Sequence, residues 1–153
     1  MSRFAENTVV SAEKSRQEIE RILVRYGATS FAYGWEGANA VIMFVLKARH
    51  IRFVLPLPSE NQKEFQRDGR GSLRTSESKK RAVEQASRQR WRALALVVKA
   101  KLECVESGIT SVEDEFLAHI VLPNGETVGR AMKPQIEHAY ATGKMPLLLG
   151  ATT

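Results

Sequence analysis

Residues 29–55 decide the fold, and they read TSFAYGWEGANAVIMFVLKARHIRFVL. Three runs rich in β-branched and aromatic residues follow one another here, at Thr29–Trp35, Asn39–Leu46 and His50–Leu55. The residues between them, 36–38 and 47–49, are few enough to form hairpin turns. The middle run is apolar on both alternating faces, which is typical of a central strand covered on both sides. The stretch therefore predicts a three-stranded antiparallel meander.

A helix is predicted on either side of this meander. Between Ser11 and Tyr26 the apolar residues recur at helical spacing, and Gly27 follows as a stop signal. A longer helix is predicted from about Ser78 to Glu106, with one apolar stripe for packing on the sheet: Val83, Ser87, Trp91, Leu94, Val98, Leu102 and Val105. The fold class is therefore α+β, with an N-terminal helix, the meander and a long basic helix packed on the sheet.

The rest of the chain predicts smaller elements. A short helix is expected from Ser111 to about Ile120, and a last helix from Pro134 to Thr142. We divide the chain into an α-β-β-β-α core, residues 1–106, and a small helical C-terminal extension, residues 107–153. Within the core, residues 59–78 are polar and show no sustained periodicity, so they predict a basic loop. The apolar tail Met145–Gly150 is expected to pack on its own domain or on a neighbouring subunit.

Composition indicates a folded, water-soluble protein. The chain has 153 residues, of which 43% are hydrophobic and 26% charged, values that suit one globular domain. No window resembles a membrane span, and the first residues lack the apolar core of a signal peptide. A single cysteine, Cys104, offers no internal disulfide. We therefore expect a cytoplasmic protein without membrane contact.

Charge is concentrated in the middle of the chain. The formal net charge is +6, yet residues 47–101 hold fifteen basic and five acidic side chains, whereas residues 102–153 hold three and seven. A block with ten surplus cations attracts a polyanion to one surface. Nucleic acid is the partner class that this distribution favours, although basic residues that only solubilise the middle of the chain are the plainer alternative.

The candidate nucleic-acid-binding residues come from the basic loop and the long helix. On the helix, Arg81, Arg88, Arg92 and Lys99 fall within roughly 40° of arc at 100° per residue. A solvated face is the usual fate of such a row, but an anion lying against it would relieve the repulsion between its members. The predicted site consists of these four and four more cations: Arg70, Arg74, Lys79 and Lys80.

Signals of catalysis are not found. The chain has no phosphate-binding loop with its lysine, and His50, His119 and His138 lie far apart without a partner at metal-ligand spacing. Acidic residues near the basic helix, such as Glu103 and Glu106, could in principle hold Mg²⁺ for a nuclease, but they also suit a helix surface. We therefore predict no enzyme, no catalytic residue, no metal and no cofactor.

The order of elements resembles the core of the phage single-strand annealing proteins, the superfamily with the Redβ, RecT and Erf groups. The similarity covers the meander at Thr29–Leu55 and the start of the long helix, Glu77–Leu96. This resemblance implies a β-β-β-α unit that oligomerises into rings or filaments and anneals complementary strands without ATP. It also implies that Lys79, Lys80, Arg81, Arg88 and Arg92 bind backbone phosphates. A homo-oligomer that binds single-stranded DNA in phage recombination is thus predicted.

Two alternatives stay open. The order α-β-β-β-α also resembles the double-stranded-RNA-binding domain, whose second helix opens with a pattern similar to Lys79-Lys80-Arg81-Ala82, although the loop and the helix are longer here. A protein-interaction module, such as a phage inhibitor of a host nucleic-acid enzyme, could use the same arginines against an acidic surface.

Phe31, Tyr33 and Trp35 alternate on one face of the first strand, where they either stack on unpaired bases or lie buried under a helix.

Overall fold

The computed structural model describes the backbone of residues 3–146 and the side chains of residues 13–146. It confirms the α+β fold class, with one helix before a three-stranded meander and a long helix after it. The main elements are α1 (Arg3–Arg25), β1 (Ser30–Glu36), β2 (Asn39–Leu46), β3 (Arg49–Pro56), α2 (Ser76–Glu106), α3 (Val112–Glu115) and α4 (Val128–Thr142). Residues 147–150 of the predicted apolar tail Met145–Gly150 lie outside the described residues.

The sheet has the order β1-β2-β3, and both pairings are antiparallel. The bounds of β2 agree with those predicted, and β1 and β3 differ from the prediction by one residue at each end. The β2–β3 turn places Lys47 at φ 46° and Ala48 at φ 63°, in the left-handed region that tight hairpins with right-handed strand twist require. Short turns of this kind fix the register and keep the meander compact.

The core lies between one face of the sheet and the two long helices. Ala40, Ile42, Phe44 and Leu46 alternate along β2 and are all buried on this face. Against them pack Ile19 and Leu23 of α1 and the predicted stripe of α2, in which Trp91 is 1% exposed. The predicted packing of the long helix on the sheet is confirmed, and α1 lies beside it in the same layer.

The second face of the sheet is more open than predicted. Val41 is buried, but Met43 of β2 is 40% exposed and Val54 of β3 is 41% exposed. Within the described residues, this face is covered only in part, by the segment from Ala118 to Lys133. The expectation that β2 is covered on both sides is therefore wrong for part of its length. Apolar residues on both faces of a strand do not show that another element packs against each face.

The region after α2 contributes to the core and protects the sheet edge. The Ser111 side chain accepts a hydrogen bond from the Asp114 backbone at 3.0 Å and caps α3. Phe116, directly after α3, is 0% exposed. The Val121 backbone N–H donates to the His50 carbonyl at 2.8 Å, so this segment pairs with the outer edge of β3.

Three predicted boundaries are wrong. Helix α1 begins at Arg3 instead of Ser11, because no glycine or proline interrupts residues 3–10. The helix predicted for Ser111–Ile120 is divided into α3 and a separate 3-10 turn at Leu117–His119. Helix α4 begins at Val128 and contains Pro134 in its interior, because the Thr127 side chain caps it by accepting from the Arg130 N–H at 3.2 Å.

The predicted loop at residues 59–78 is also more ordered than expected. It contains a 3-10 turn at Lys63–Phe65 and a bridge between Arg67 and Leu73, and its last residues already belong to α2. Phe65 is 7% exposed and anchors the segment. Its isolated position among polar residues gave no periodic signal, which is why the sequence pattern missed it.

None of the helices in the described range combines the length and the apolar character that a membrane crossing requires.

Candidate nucleic-acid interface

Helix α2 brings four of the predicted cations together on one flank. Thr75 caps this 31-residue helix by accepting a hydrogen bond from the Ser78 N–H at 3.2 Å, so Arg81 lies within its second turn. Arg81, Arg88, Arg92 and Lys99, which we call the α2 cation row, are all exposed. At a rise of 1.5 Å per residue the row extends about 27 Å along the helix. This length presents charge to several successive phosphates of an extended strand.

One member of the row is already paired within the protein. The Arg88 guanidinium lies 2.6 Å from Oε1 of Glu84, one turn earlier on α2. The Glu84 side chain is only 15% exposed, so this pair is better shielded than an ordinary surface pair. Sequence reasoning omitted Glu84, although its i, i+4 spacing to Arg88 is the signal that identifies such a pair.

The other three members of the row have no acidic partner in the described part of the chain. Arg81, Arg92 and Lys99 take part in none of the ion pairs or side-chain hydrogen bonds among residues 13–146. Because they are exposed, their charge is available to a ligand at little desolvation cost. These three side chains are the strongest part of the candidate interface.

The row borders the seam between α1 and α2. Glu103 follows Lys99 by one turn on the same flank of α2. Its Oε1 accepts a hydrogen bond at 3.2 Å from the hydroxyl of Tyr26, the residue directly after α1. The flank that carries the row therefore faces the side on which α1 lies. A ligand on the row would run along the outer surface of the two-helix layer.

The remaining predicted site residues are not brought to this flank. Lys79 precedes Arg81 by two residues, about 200° of helical rotation, and so lies on the opposite side of α2. Lys80 is half-buried on the side of α2 that Trp91 also occupies. In the loop before α2, Arg70 is exposed, whereas the Arg74 side chain donates to the Arg67 carbonyl at 3.3 Å and to Ser78 Oγ at 3.1 Å.

The eight predicted cations therefore form one row of four and four separated positions. A neighbouring arginine that was not among them, Arg90, is used structurally: it donates to the Pro56 carbonyl at 2.6 Å and lies 3.9 Å from Glu64. It holds the end of β3 against α2. The expected single basic surface made of loop and helix together is thus reduced to the α2 cation row.

The three aromatic side chains of β1 share one face of the sheet but differ in exposure. Phe31 and Tyr33 are half-buried, whereas Trp35 is 64% exposed. The Tyr33 ring lies 5.9 Å from the Trp91 ring and 4.7 Å from the Arg16 guanidinium. Burial raises the pKa of Tyr33 above its usual value, and the charge of Arg16 opposes this effect. Tyr33 thus packs against the core, and Trp35 alone of the three is largely open to a ligand.

Trp35 lies at the level of the N-terminal half of the row. Strand β1 runs opposite to α2, because Tyr26 before β1 contacts Glu103 whereas Tyr33 contacts Trp91, three turns earlier on the helix. From Tyr33 to Trp35 the strand advances about 7 Å, which corresponds to roughly one further turn of α2. The exposed indole is therefore at the level of Arg88, at the end of the sheet where α2 continues past it.

Other reactive side chains form no cluster here. Among the described residues, no group of three or more His, Cys, Asp and Glu side chains is arranged to hold a metal ion. Cys104 is half-buried and has no disulfide partner. His119 stacks on Phe53 with ring centroids 3.9 Å apart, away from the α2 cation row. The interface consists of cations and one aromatic side chain.

No protein-family model matches this chain, and comparison with curated proteins and with solved structures finds no match either. The similarity to the single-strand annealing proteins therefore stays a prediction based on element order. The arrangement of α2 and β1 is the basis on which a function can be argued.

Proposed function

We propose that this protein binds nucleic acid without a cofactor and without catalysis, through the α2 cation row. The observation that supports the proposal most is that Arg81, Arg92 and Lys99 are exposed in one row with no ion-pair partner among the described residues. A row of uncompensated cations gains most from a ligand with regularly spaced negative charge. Phosphate contacts of this kind fix position and carry no sequence information.

Single strands, with DNA as the favoured form, are the substrate that we propose. Trp35 offers a largely exposed indole at the level of Arg88, and unpaired bases stack on such rings. Bases inside a duplex present no free face for this contact. The combination of a cation row with one aromatic platform therefore favours a single strand over a double-stranded RNA.

We further propose that the protein acts as a homo-oligomer that promotes the pairing of complementary strands, as the similarity to phage annealing proteins implies. The cytoplasm is the proposed compartment, with which the single cysteine agrees. Within the described residues β1 pairs on one side only, so its outer edge has backbone groups that a second copy could use. A protein-interaction module remains the alternative, because the same cations suit an acidic protein surface.

The test is a charge-reversal experiment with a matched control. Arg92→Glu with Lys99→Glu changes the row, and Arg21→Glu with Lys144→Glu changes two exposed cations outside it. Each double variant lowers the formal net charge by four, from +6 to +2. We expect the row variant to lose more than about tenfold in affinity for a labelled single-stranded oligonucleotide, and the control to lose far less.

Equal losses in both variants would show that only net charge matters and would contradict the role of the row. No affinity of the wild type for any oligonucleotide, together with stoichiometric co-purification of a host protein, would favour the interaction module. Light scattering with and without oligonucleotide tests assembly: a monomer in both samples contradicts the proposed oligomer, and growth on the oligonucleotide supports it.

A further inference from the structure

A second basic feature lies on the other side of the sheet, away from α1 and α2. There a cleft of about 320 Å³ opens between the sheet and the C-terminal region. Its floor includes Glu36 of β1 and Arg52 of β3, one wall is the 3-10 turn that ends at His119, and the other is the first part of α4. With Asn39 of β2, five separate elements thus line one depression.

Cations from two of these elements meet in the cleft. Arg52 comes from β3, and Arg130 and Lys133 are neighbours at i and i+3 on α4. Glu36 is the one carboxylate of the lining, so the charged side chains of the cleft sum to +2. An excess of positive charge in a depression strengthens the potential there, because low-dielectric walls reduce solvent screening.

The donors of the cleft are only partly used by the protein itself. One nitrogen of the Arg52 guanidinium donates to the Gly125 carbonyl at 2.7 Å, which orients the group and leaves further N–H donors unbound. The Arg130–Glu36 pair is loose, at 3.6 Å, with both side chains more than half exposed. Such an exposed ion pair contributes little free energy of stabilisation, so an anion that binds Arg130 more strongly displaces Glu36 readily.

The backbone of α4 adds a further donor. Gly129 lines the cleft, and its N–H has no acceptor among the described residues. A Cβ at this position would lie 2.9 Å from the Ala118 carbonyl oxygen, so glycine allows α4 to approach the opposite wall. The close approach places Gly129 and Arg130 in the lining of the same cleft as Arg52.

His119 is compatible with an anionic ligand. Its ring stacks on Phe53, and burial is the main reason why its pKa is lowered from the usual value, with Lys101 and Lys133 lowering it further. The backbone carbonyl of Arg52 acts in the opposite direction. A neutral imidazole at neutral pH adds a donor or acceptor without adding to the repulsion between the cations.

We propose that this cleft binds the phosphate group of a phosphate monoester. Three cations and one backbone N–H around one depression suit a tetrahedral dianion that accepts several hydrogen bonds. A divalent metal ion is disfavoured by the positive charge, and the charged side chains of the lining favour an anion over a neutral apolar ligand. The volume, about 320 Å³, leaves room for more than the bare phosphate, so either a free nucleotide or the 5′-phosphate end of a nucleic acid could supply the group.

The test uses NMR titration of the full chain with inorganic phosphate against chloride of equal ionic strength. We expect saturable shifts of the Gly129 and Arg130 backbone amides. Arg130→Gln with Lys133→Gln should raise the dissociation constant at least about tenfold, because two charge-assisted contacts are lost. The matched control, Arg21→Gln with Lys144→Gln, should stay within about twofold of the wild type.

The proposal is overturned if phosphate gives no more shift than chloride, or if the cleft variant binds phosphate as well as the control does. All four substituted residues are exposed, so the variants should fold, and their thermal unfolding checks this. The inference does not depend on the proposed function, since the cleft and the α2 cation row share no residue. Loss of oligonucleotide binding by the row variant with phosphate binding retained would separate the two.

A second comparison identifies the source of the phosphate. Adenosine monophosphate is tested against two oligonucleotides of one sequence, with a 5′-phosphate or a 5′-hydroxyl. Tighter binding of the phosphorylated oligonucleotide, lost in the cleft variant, supports a nucleic-acid end as ligand. Binding of the mononucleotide without a difference between the oligonucleotides supports a free nucleotide.

Discussion

Replacement of Phe116 by alanine tests whether the C-terminal region is part of the core. Phe116 is 0% exposed, and its ring meets those of Phe44 and Phe53 edge-on, at 5.9 Å and 6.2 Å between centroids. A buried phenylalanine removes at least about 150 Å² from water, which corresponds to about 4 kcal/mol at 25 cal/mol per Å². This agrees with the loss of about 3–5 kcal/mol usual for Phe→Ala in a core.

The assay is urea unfolding of wild type and variant, followed by circular dichroism. Leu117→Ala is the matched control, because this adjacent side chain is 53% exposed and its loss should cost no more than about 0.5 kcal/mol. A loss for Phe116→Ala below about 1.5 kcal/mol, or one equal to that of the control, would refute the reasoning. It would mean that α2 and the sheet form a complete core without the segment after them.

Three further predictions concern single side chains. Trp35→Ala should weaken binding of a single-stranded oligonucleotide about tenfold in a fluorescence polarisation assay, because one stacking contact is lost. Binding of a duplex should stay unchanged. An equal loss of affinity for the single strand and the duplex would contradict stacking. Glu84→Gln should tighten oligonucleotide binding a few-fold in the same assay, since it frees Arg88 and removes a negative charge. Unchanged or weaker binding would show that Arg88 does not reach the ligand. His119 should make the protein less stable as the pH falls from 6.5 to its own lowered pKa, because the unfolded chain then binds a proton that the folded chain excludes. Urea unfolding across this range should show a smaller pH dependence for His119→Gln, and an identical dependence would contradict the assignment.

The sheet could be predicted almost to the residue. Alternating β-branched and aromatic residues define each strand, and the intervening turns are too short for any connection other than a hairpin. Helix α2 was equally clear, because its apolar stripe from Val83 to Val105 persists over many turns. In both cases the local pattern and the tertiary contacts favour the same structure.

The boundaries that could not be predicted depend on contacts or on competing local signals. Pro134 is a strong signal for a helix start, yet Thr127 caps α4 two turns earlier and the helix tolerates the proline. Phe65 anchors the loop before α2 through a single buried side chain, which leaves no periodic trace. The open second face of the sheet follows from the position of the C-terminal region, which no strand pattern records.

For the candidate site, sequence reasoning identified the α2 cation row by helical geometry alone. It did not distinguish cations that share a flank from cations that are only near in sequence, such as Lys79, Lys80, Arg70 and Arg74. The placement of loop side chains depends on tertiary structure, as the bonds of Arg74 to Arg67 and Ser78 show. The cleft with Arg52, Arg130 and Lys133 joins residues far apart in sequence, so no spacing could have indicated it.

The salt dependence of oligonucleotide binding tests the central claim most directly. For single strands the slope of log K against log salt is about −0.7 per phosphate contact, so three or four contacts from the α2 cation row predict a slope of about −2 to −3. Arg92→Gln with Lys99→Gln removes two contacts and should make the slope shallower by about 1.4. A wild-type slope near zero, or a variant slope equal to that of the wild type, would contradict binding through the row.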